Sequence, residues 1–205
     1  VAAPSTSALQ RAARLCALTV GWNATVGGLA VATAVSSGSL SLIGFGINAV
    51  VDSSASIVLV WRFRAEIAGR AARARRAEQL ALALAGAAFL LIALYLLIQS
   101  TRSLADERHY QATAFGIAEA VAALLGLPVL ASAKYSLSQR LGSRALRADS
   151  LLTWSGVALA FVALVALIAQ RSLHWWWADG IGGLTIAVLL AWQGSRATRE
   201  SRQAD

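Results

Sequence analysis

Residues 40–63 read LSLIGFGINAVVDSSASIVLVWRF. Apolar residues run through this stretch for long enough to cross a hydrocarbon layer about 30 Å thick, which takes about 20 residues of helix. Asp52 stands near its middle. A charged side chain at the centre of a membrane helix costs about 2.5 to 3.5 kcal/mol on insertion scales, so it needs a reason to be there. Residues three or four apart share a helix face, and at that spacing Ser41, Asn48, Asp52 and Ser56 form one polar stripe. Such a stripe is expected to face the interior of a bundle of helices. Asn48 and Asp52, one turn apart, can offer an amide oxygen and a carboxylate to a single cation, or serve a proton relay. A hydrogen bond from Asp52 to a polar neighbour such as Asn23 would instead serve only to hold helices together.

The same reading extends in both directions. A first apolar span covers about 15–35, and the turn SSGS joins it to the second at about 40–61. Further spans follow at about 80–98, 112–130 (with Pro128 near its end), 148–169 and 178–192. The predicted fold is all-α: a polytopic membrane protein with six transmembrane helices over 15–195, a cytoplasmic N-terminal segment at 1–14 and a cytoplasmic tail at 196–205. No cytosolic C-terminal domain is expected after the sixth span, and the first span is expected to act as its own anchor, without a cleaved signal peptide.

Composition agrees. Of 205 residues, 58% are hydrophobic and 14% charged, with a mean hydropathy of +0.63, which is too apolar for a soluble domain of this size. The net charge of +8 does not point to nucleic acid, because the basic residues lie in short segments beside apolar spans, where topology explains them. With the N-terminus inside, fifteen of the 18 basic residues fall on the cytoplasmic side, and only Arg102, Arg108 and Arg171 fall outside. The run between Arg62 and Arg76 suits a basic helical extension lying on anionic headgroups. Trp175, Trp176 and Trp177 suit an outer interfacial belt. Cys16 stands alone, so it has no disulfide or CxxC partner and is expected to pack. His109 and His174 are isolated and read as solvated.

Three further acidic residues accompany Asp52. Glu119 lies within the fourth span, where it can be a ligand, pair with an arginine or snorkel. Asp149 begins the fifth span and Asp179 the sixth, where N-terminal capping and the helix dipole account for charge. The glycines of GFG at Gly44 to Gly46 and GIGG at Gly180 to Gly183 permit close helix contact, whether for sliding or for static packing.

Six spans, the second helix SGSLSLIGFGINAVVDSSASIVLVWRFR, the entry to the fifth SRALRADSLLTWSG, and WWWADGIGGLTIAVLLAWQG in the sixth together resemble the cation diffusion facilitators. The resemblance implies export of zinc or a similar divalent cation, in exchange for protons, by a homodimer. It implies a site joining a His/Asp-xxx-Asp pair on the second helix to a His-xxx-Asp pair on the fifth. Here the first pair falls on Asn48 and Asp52, while Leu152 and Gly156 stand where the second pair would be. In this respect the chain is similar to a short branch of the family, typified by a vertebrate synaptic-vesicle zinc transporter, that also lacks the fifth-helix pair. The expected metal set is therefore Asp52, Asn48, Asp149 and Glu119, an oxygen-rich group less selective for zinc than one with nitrogen or sulfur. The implied function is divalent cation efflux by alternating access: a secondary transporter in the inner (plasma) membrane, not an enzyme, with the cation as substrate and no tightly bound cofactor. The rival reading is a transport-inactive relative that serves as a membrane interaction partner or accessory subunit.

Overall fold

The computed structural model describes residues 6–68, 71–106 and 113–202, and every regular element among them is helical. The helices are α1 (Thr6–Ser37), α2 (Leu40–Ile67), α3 (Ala71–Ala105), α4 (Ala114–Leu141), α5 (Arg144–Leu173) and α6 (Ala178–Arg202). The all-α membrane bundle expected from hydropathy is the observed architecture. By length and composition α1, α2, α4 and the Leu146–Leu173 part of α5 can each cross a bilayer, and α3 carries a shorter apolar run at Phe89–Ala105.

The helices outrun the apolar spans that define them. With 32 residues α1 is about 48 Å long at 1.5 Å per residue, well beyond the hydrocarbon thickness. Arginine and alanine are strong helix formers, so nothing obliges a helix to stop where its hydrophobic stretch does. For the same reason the basic stretch after the second span is helical where it is described. Its first residues complete α2, and from Ala71 onward it is the start of α3. Residues 69–70 and 107–112, with His109 and Arg108 among them, and the side chains of Arg73, Arg75 and Arg76 lie outside the described residues.

Two tight turns set the register of the site. Between α1 and α2, Gly38 adopts φ 74°, its N–H donates to Ala34 O at 2.8 Å, and Ser39 caps α2. Between α4 and α5, Gly142 adopts φ 60° and Ser143 caps α5, its Oγ accepting from Leu146 N at 3.3 Å. Both glycines occupy the left-handed region that other residues enter only at a cost. The second turn places the start of α5 four residues before the apolar span begins, so Asp149 sits in the second turn of the helix rather than at its cap.

Helices pair as α1 with α2, α3 with α6 and α4 with α5, and α2 also packs against α3, α5 and α6. The larger core gathers Leu42, Phe45, Leu96, Leu127, Leu159 and Ile186, and a smaller one near the α4–α5 turn gathers Leu9, Cys16, Leu59, Phe63 and Leu146. Large apolar side chains point outward as well: Leu91, Leu125 and Val188 are 69%, 71% and 66% exposed, which suits lipid and not water. The glycines of the GFG motif are packing positions. A methyl group added at Gly44 would come within 2.5 Å of Ile186 and one at Gly46 within 2.6 Å of Val31.

Candidate cation site

The polar stripe of α2 meets α5 along an antiparallel ladder of three rungs. Asn48 faces Gly156, where an added Cβ would lie 3.1 Å from Asn48 Nδ2. One turn on, Asp52 accepts from Thr153 Oγ1 at 3.2 Å (Oδ1) and 3.4 Å (Oδ2). Another turn on, Ser56 Oγ donates to Asp149 at 3.0 Å (Oδ1) and 3.3 Å (Oδ2). Rungs four residues apart on α2 and three or four apart on α5 are what two helical faces in contact produce. The fifth helix therefore reaches Asp52 through Thr153. Leu152, at the position expected to carry a ligand in the family pattern, instead packs against the apolar core.

Helices α1 and α4 close the cluster. Asn23 Nδ2 donates to Asp52 Oδ2 at 2.8 Å, so the neighbour read from sequence is indeed the partner of that carboxylate. Cys16 Sγ lies 3.8 Å from Asp149 Oδ2. From α4 comes Lys134, wholly buried, whose Nζ is 2.6 Å from Asp149 Oδ2 and 3.1 Å from both Ser56 Oγ and Thr153 Oγ1. An ammonium has three N–H donors and no acceptor, and here all three meet oxygen. Asp52 and Asp149 are each 2% exposed. Buried ions persist only when paired and hydrogen-bonded, and this cluster meets both conditions.

Sequence reading missed Lys134. Hydropathy ends the fourth span at 130, just past Pro128, and assigns the lysine to a basic loop. The structure carries α4 through Pro128 to Leu141. Two signals were available: Leu127, Leu130, Ala131, Lys134 and Ser138 continue one helical face, and Lys134 is the chain's single lysine among arginines.

The four expected metal ligands do not all converge. Asn48, Asp52 and Asp149 lie along the α2–α5 ladder. Glu119 does not join them: it lies fifteen residues, or about 22 Å of helix, from Lys134 on the same element. Its Oε1 accepts from Thr33 Oγ1 of α1 at 3.0 Å, and its Oε2 has no hydrogen-bond partner among the described residues. No group of three or more His, Cys, Asp or Glu side chains that could hold a metal ion occurs among the described residues. What the ladder offers a cation is oxygen: two carboxylates, two hydroxyls, and the Asn48 amide oxygen, which is buried without a hydrogen-bond partner among the described residues.

Ser41, the outermost member of the stripe, belongs to a different cluster. Its Oγ and N–H donate to Asp179 Oδ1 at 2.5 and 3.4 Å, Ser39 Oγ donates to the same oxygen at 2.7 Å, and Leu40 N to Oδ2 at 2.7 Å. Asp179 does stand in the first turn of α6, as expected, but it also closes the N-terminus of α2, where free backbone N–H groups favour a carboxylate. Nearby, the Trp175 and Trp177 rings stack at 4.8 Å, and His174 ends α5 exposed, in the left-handed conformation.

A bundle of long apolar helices with an ionic, oxygen-lined cluster at the meeting point of α1, α2, α4 and α5 defines a polytopic membrane protein built around a buried polar site. Within that class the chain belongs to the cation efflux family: the model of the cation efflux transmembrane domain matches residues 17–204. It is 26% identical over 153 residues to transmembrane protein 163 of Xenopus laevis, an alignment covering 74% of this chain and 53% of that protein. To an uncharacterized transporter of Synechocystis sp., sll1263, it is 28% identical over 192 residues, covering 90% of this chain and 61% of that one. The chain thus spans between half and two thirds of the length of these relatives.

Proposed function

We propose that the protein exports a divalent cation, zinc being the first to test, in exchange for protons, and that the cation binds on the α2–α5 ladder at Asp52, Asn48 and Asp149. Membership of the cation efflux family supports cation transport in general. The observation that supports this particular site is the Asn48 amide oxygen, buried without a hydrogen-bond partner among the described residues, one helical turn from the Asp52 carboxylate. A buried acceptor left unpaired is costly, and a cation would satisfy it. Ser56 and Thr153 add hydroxyl oxygens, and water completes the shell. Cations and protons compete for the same carboxylate oxygens, so proton entry from the opposite side can drive release. Glu119, further along α4, stands apart from this set and is a candidate for the outer part of the route. The basic ends of the helices face the cytoplasm on this reading, in the plasma membrane, with a homodimer as the working unit.

The direct test is flux of zinc into or out of proteoliposomes, with and without an imposed pH gradient, for the native chain and for Asp52→Asn. Gradient-dependent flux should fall to background in the variant while the protein remains folded. Flux retained in Asp52→Asn would sink the assignment. A second reading has its own support: Lys134 already neutralises one carboxylate, so the cluster is close to satisfied without any cation. An inactive relative acting as an accessory subunit would carry such a cluster, and would transport none of zinc, manganese, iron(II), cobalt or cadmium.

A further inference from the structure

We propose that Lys134 is a tethered stand-in for the transported cation: its ammonium fills the oxygen cage of the empty carrier and must leave when the divalent cation loads. The inference rests on the cation reading above. It goes further in naming what competes for the site from within the protein.

The geometry resembles coordination more than an ordinary ion pair. The ammonium touches one carboxylate and two hydroxyls, drawn from α2 and α5, at 2.6, 3.1 and 3.1 Å. Those are hard oxygen donors of the kind that hold divalent cations. Thr153 ties the cage to Asp52, because the hydroxyl that accepts from Lys134 also donates towards Asp52 and towards the Asp149 backbone oxygen at 3.1 Å. The charged and titratable side chains in contact with this group are Asp52 on α2, Asp149 on α5, Lys134 on α4 and the Cys16 thiol on α1. Two carboxylates and one ammonium leave a single net negative charge. A divalent cation bound to the oxygens that the ammonium now holds would lie in direct contact with it, and like charges at that distance repel strongly in a buried site, so the two occupants exclude each other.

Lysine suits this role better than arginine. Its charge is compact and sits on a flexible four-carbon stem, whereas guanidinium is a rigid fork with five donors, more than the three oxygens that hold the ammonium here. In the empty state the ammonium shields two carboxylates that would otherwise repel one another, so the unloaded carrier can reorient without carrying a bare charge pair. Lys134 is thus a positioning and affinity-setting residue, not a ligand.

The test compares cation affinity in purified protein, by isothermal titration calorimetry with Zn2+ and Mn2+, for the native chain, Lys134→Gln and Lys134→Arg. The Gln variant, which loses the competing like charge, should bind about tenfold more tightly or better, and the Arg variant no more tightly than native. If the native protein binds, Asp52→Asn does not, and Lys134→Gln binds no better than native, the tethered cation is overturned while the cation site stands. Absence of binding in native and Gln forms alike overturns both. Should Lys134→Gln fail to fold, Lys134→Ala with added methylammonium replaces it: the small amine should raise the melting temperature of the variant and weaken its divalent cation binding. Methylammonium without either effect would likewise overturn the proposal.

Discussion

Two buried carboxylate clusters occupy opposite parts of the α2 helix, and they are satisfied in different ways. At the N-terminus of α2, Asp179 receives two hydroxyls and two backbone N–H groups, all fixed by the helix end they belong to. About 18 Å further along the helix, Asp52 and Asp149 are satisfied by side chains, and the one full charge that balances them stands on the flexible stem of Lys134. Fixed dipoles cannot leave without unfolding the helix end, but a lysine can change rotamer. The first cluster is therefore a lock between α2 and α6, and the second, on the reading proposed above, is a site whose occupant can be exchanged. Burial alone does not separate them, since both sets of carboxylates are almost wholly hidden.

The largest expected effect breaks the lock. Asp179→Ala leaves the Leu40 N–H and the hydroxyls of Ser39 and Ser41 without their acceptor, in a buried setting where each lost partner costs about 1 to 3 kcal/mol. Some of this is recovered, because the Ser39 and Ser41 hydroxyls lie 3.2 Å apart and one can donate to the other. A net loss of about 3 kcal/mol is expected, read by denaturant unfolding in detergent. Cation affinity of the folded fraction should change less than about twofold, since distant, independent sites add with little coupling. A variant with native stability and no cation binding would reverse the roles assigned to the two clusters.

Much of this division was legible in the sequence, and the part that was not has a physical cause. Asp52 stood out because a charge in an apolar helix is costly wherever its partner lies. The Asn48–Asp52–Ser56 stripe follows from the helical repeat, and Asn23 of the first span is a polar neighbour that Asp52 was expected to reach. Lys134 was not legible, because hydropathy measures where the apolar average falls and not where the helix ends. Asp149 was placed at a helix start for the same reason, since the Gly142–Ser143 turn that begins α5 lies outside the apolar span. Asp179 was seen as capping its own helix. That it also closes α2 depends on how α6 docks, which the local spacing does not reveal. Glu119 was grouped with the others because polarity in a membrane span carries no information on depth, and α4 holds it near the opposite end from Lys134.

A smaller effect sharpens the second cluster. Thr153→Val keeps the shape of the side chain and removes the hydroxyl that joins Asp52 to Lys134. On the proposed site the variant loses one hydroxyl donor and the group that orients Asp52; loss of an orienting group alone typically changes affinity about 10- to 100-fold, and the lower figure, a weakening of about 1.4 kcal/mol, is expected here because Asn23 still holds Asp52. Combined with Lys134→Gln, the two changes should be non-additive, since they share one hydrogen-bond network. Strict additivity in calorimetric binding would mean that Thr153 and Lys134 act on the carboxylates separately.

The smallest effect concerns Cys16, the one member of the exchangeable cluster that came from expectation as plain packing. Its sulfur lies 3.8 Å from Asp149 Oδ2, a weak contact beside the 2.6 Å ammonium on the same oxygen. It also sits in the small core with Leu59, Phe63 and Leu146. If packing is its role, Cys16→Ala costs about 1 kcal/mol of stability through lost volume and leaves cation affinity within about twofold of native. If the thiol takes part in the cage, the same variant shifts zinc affinity far more than manganese affinity, because soft sulfur favours zinc while both cations accept oxygen. The ratio of the two affinities therefore decides whether α1 brings a sulfur ligand to the cluster through Cys16 or only the Asn23 amide behind the oxygen ladder of α2 and α5.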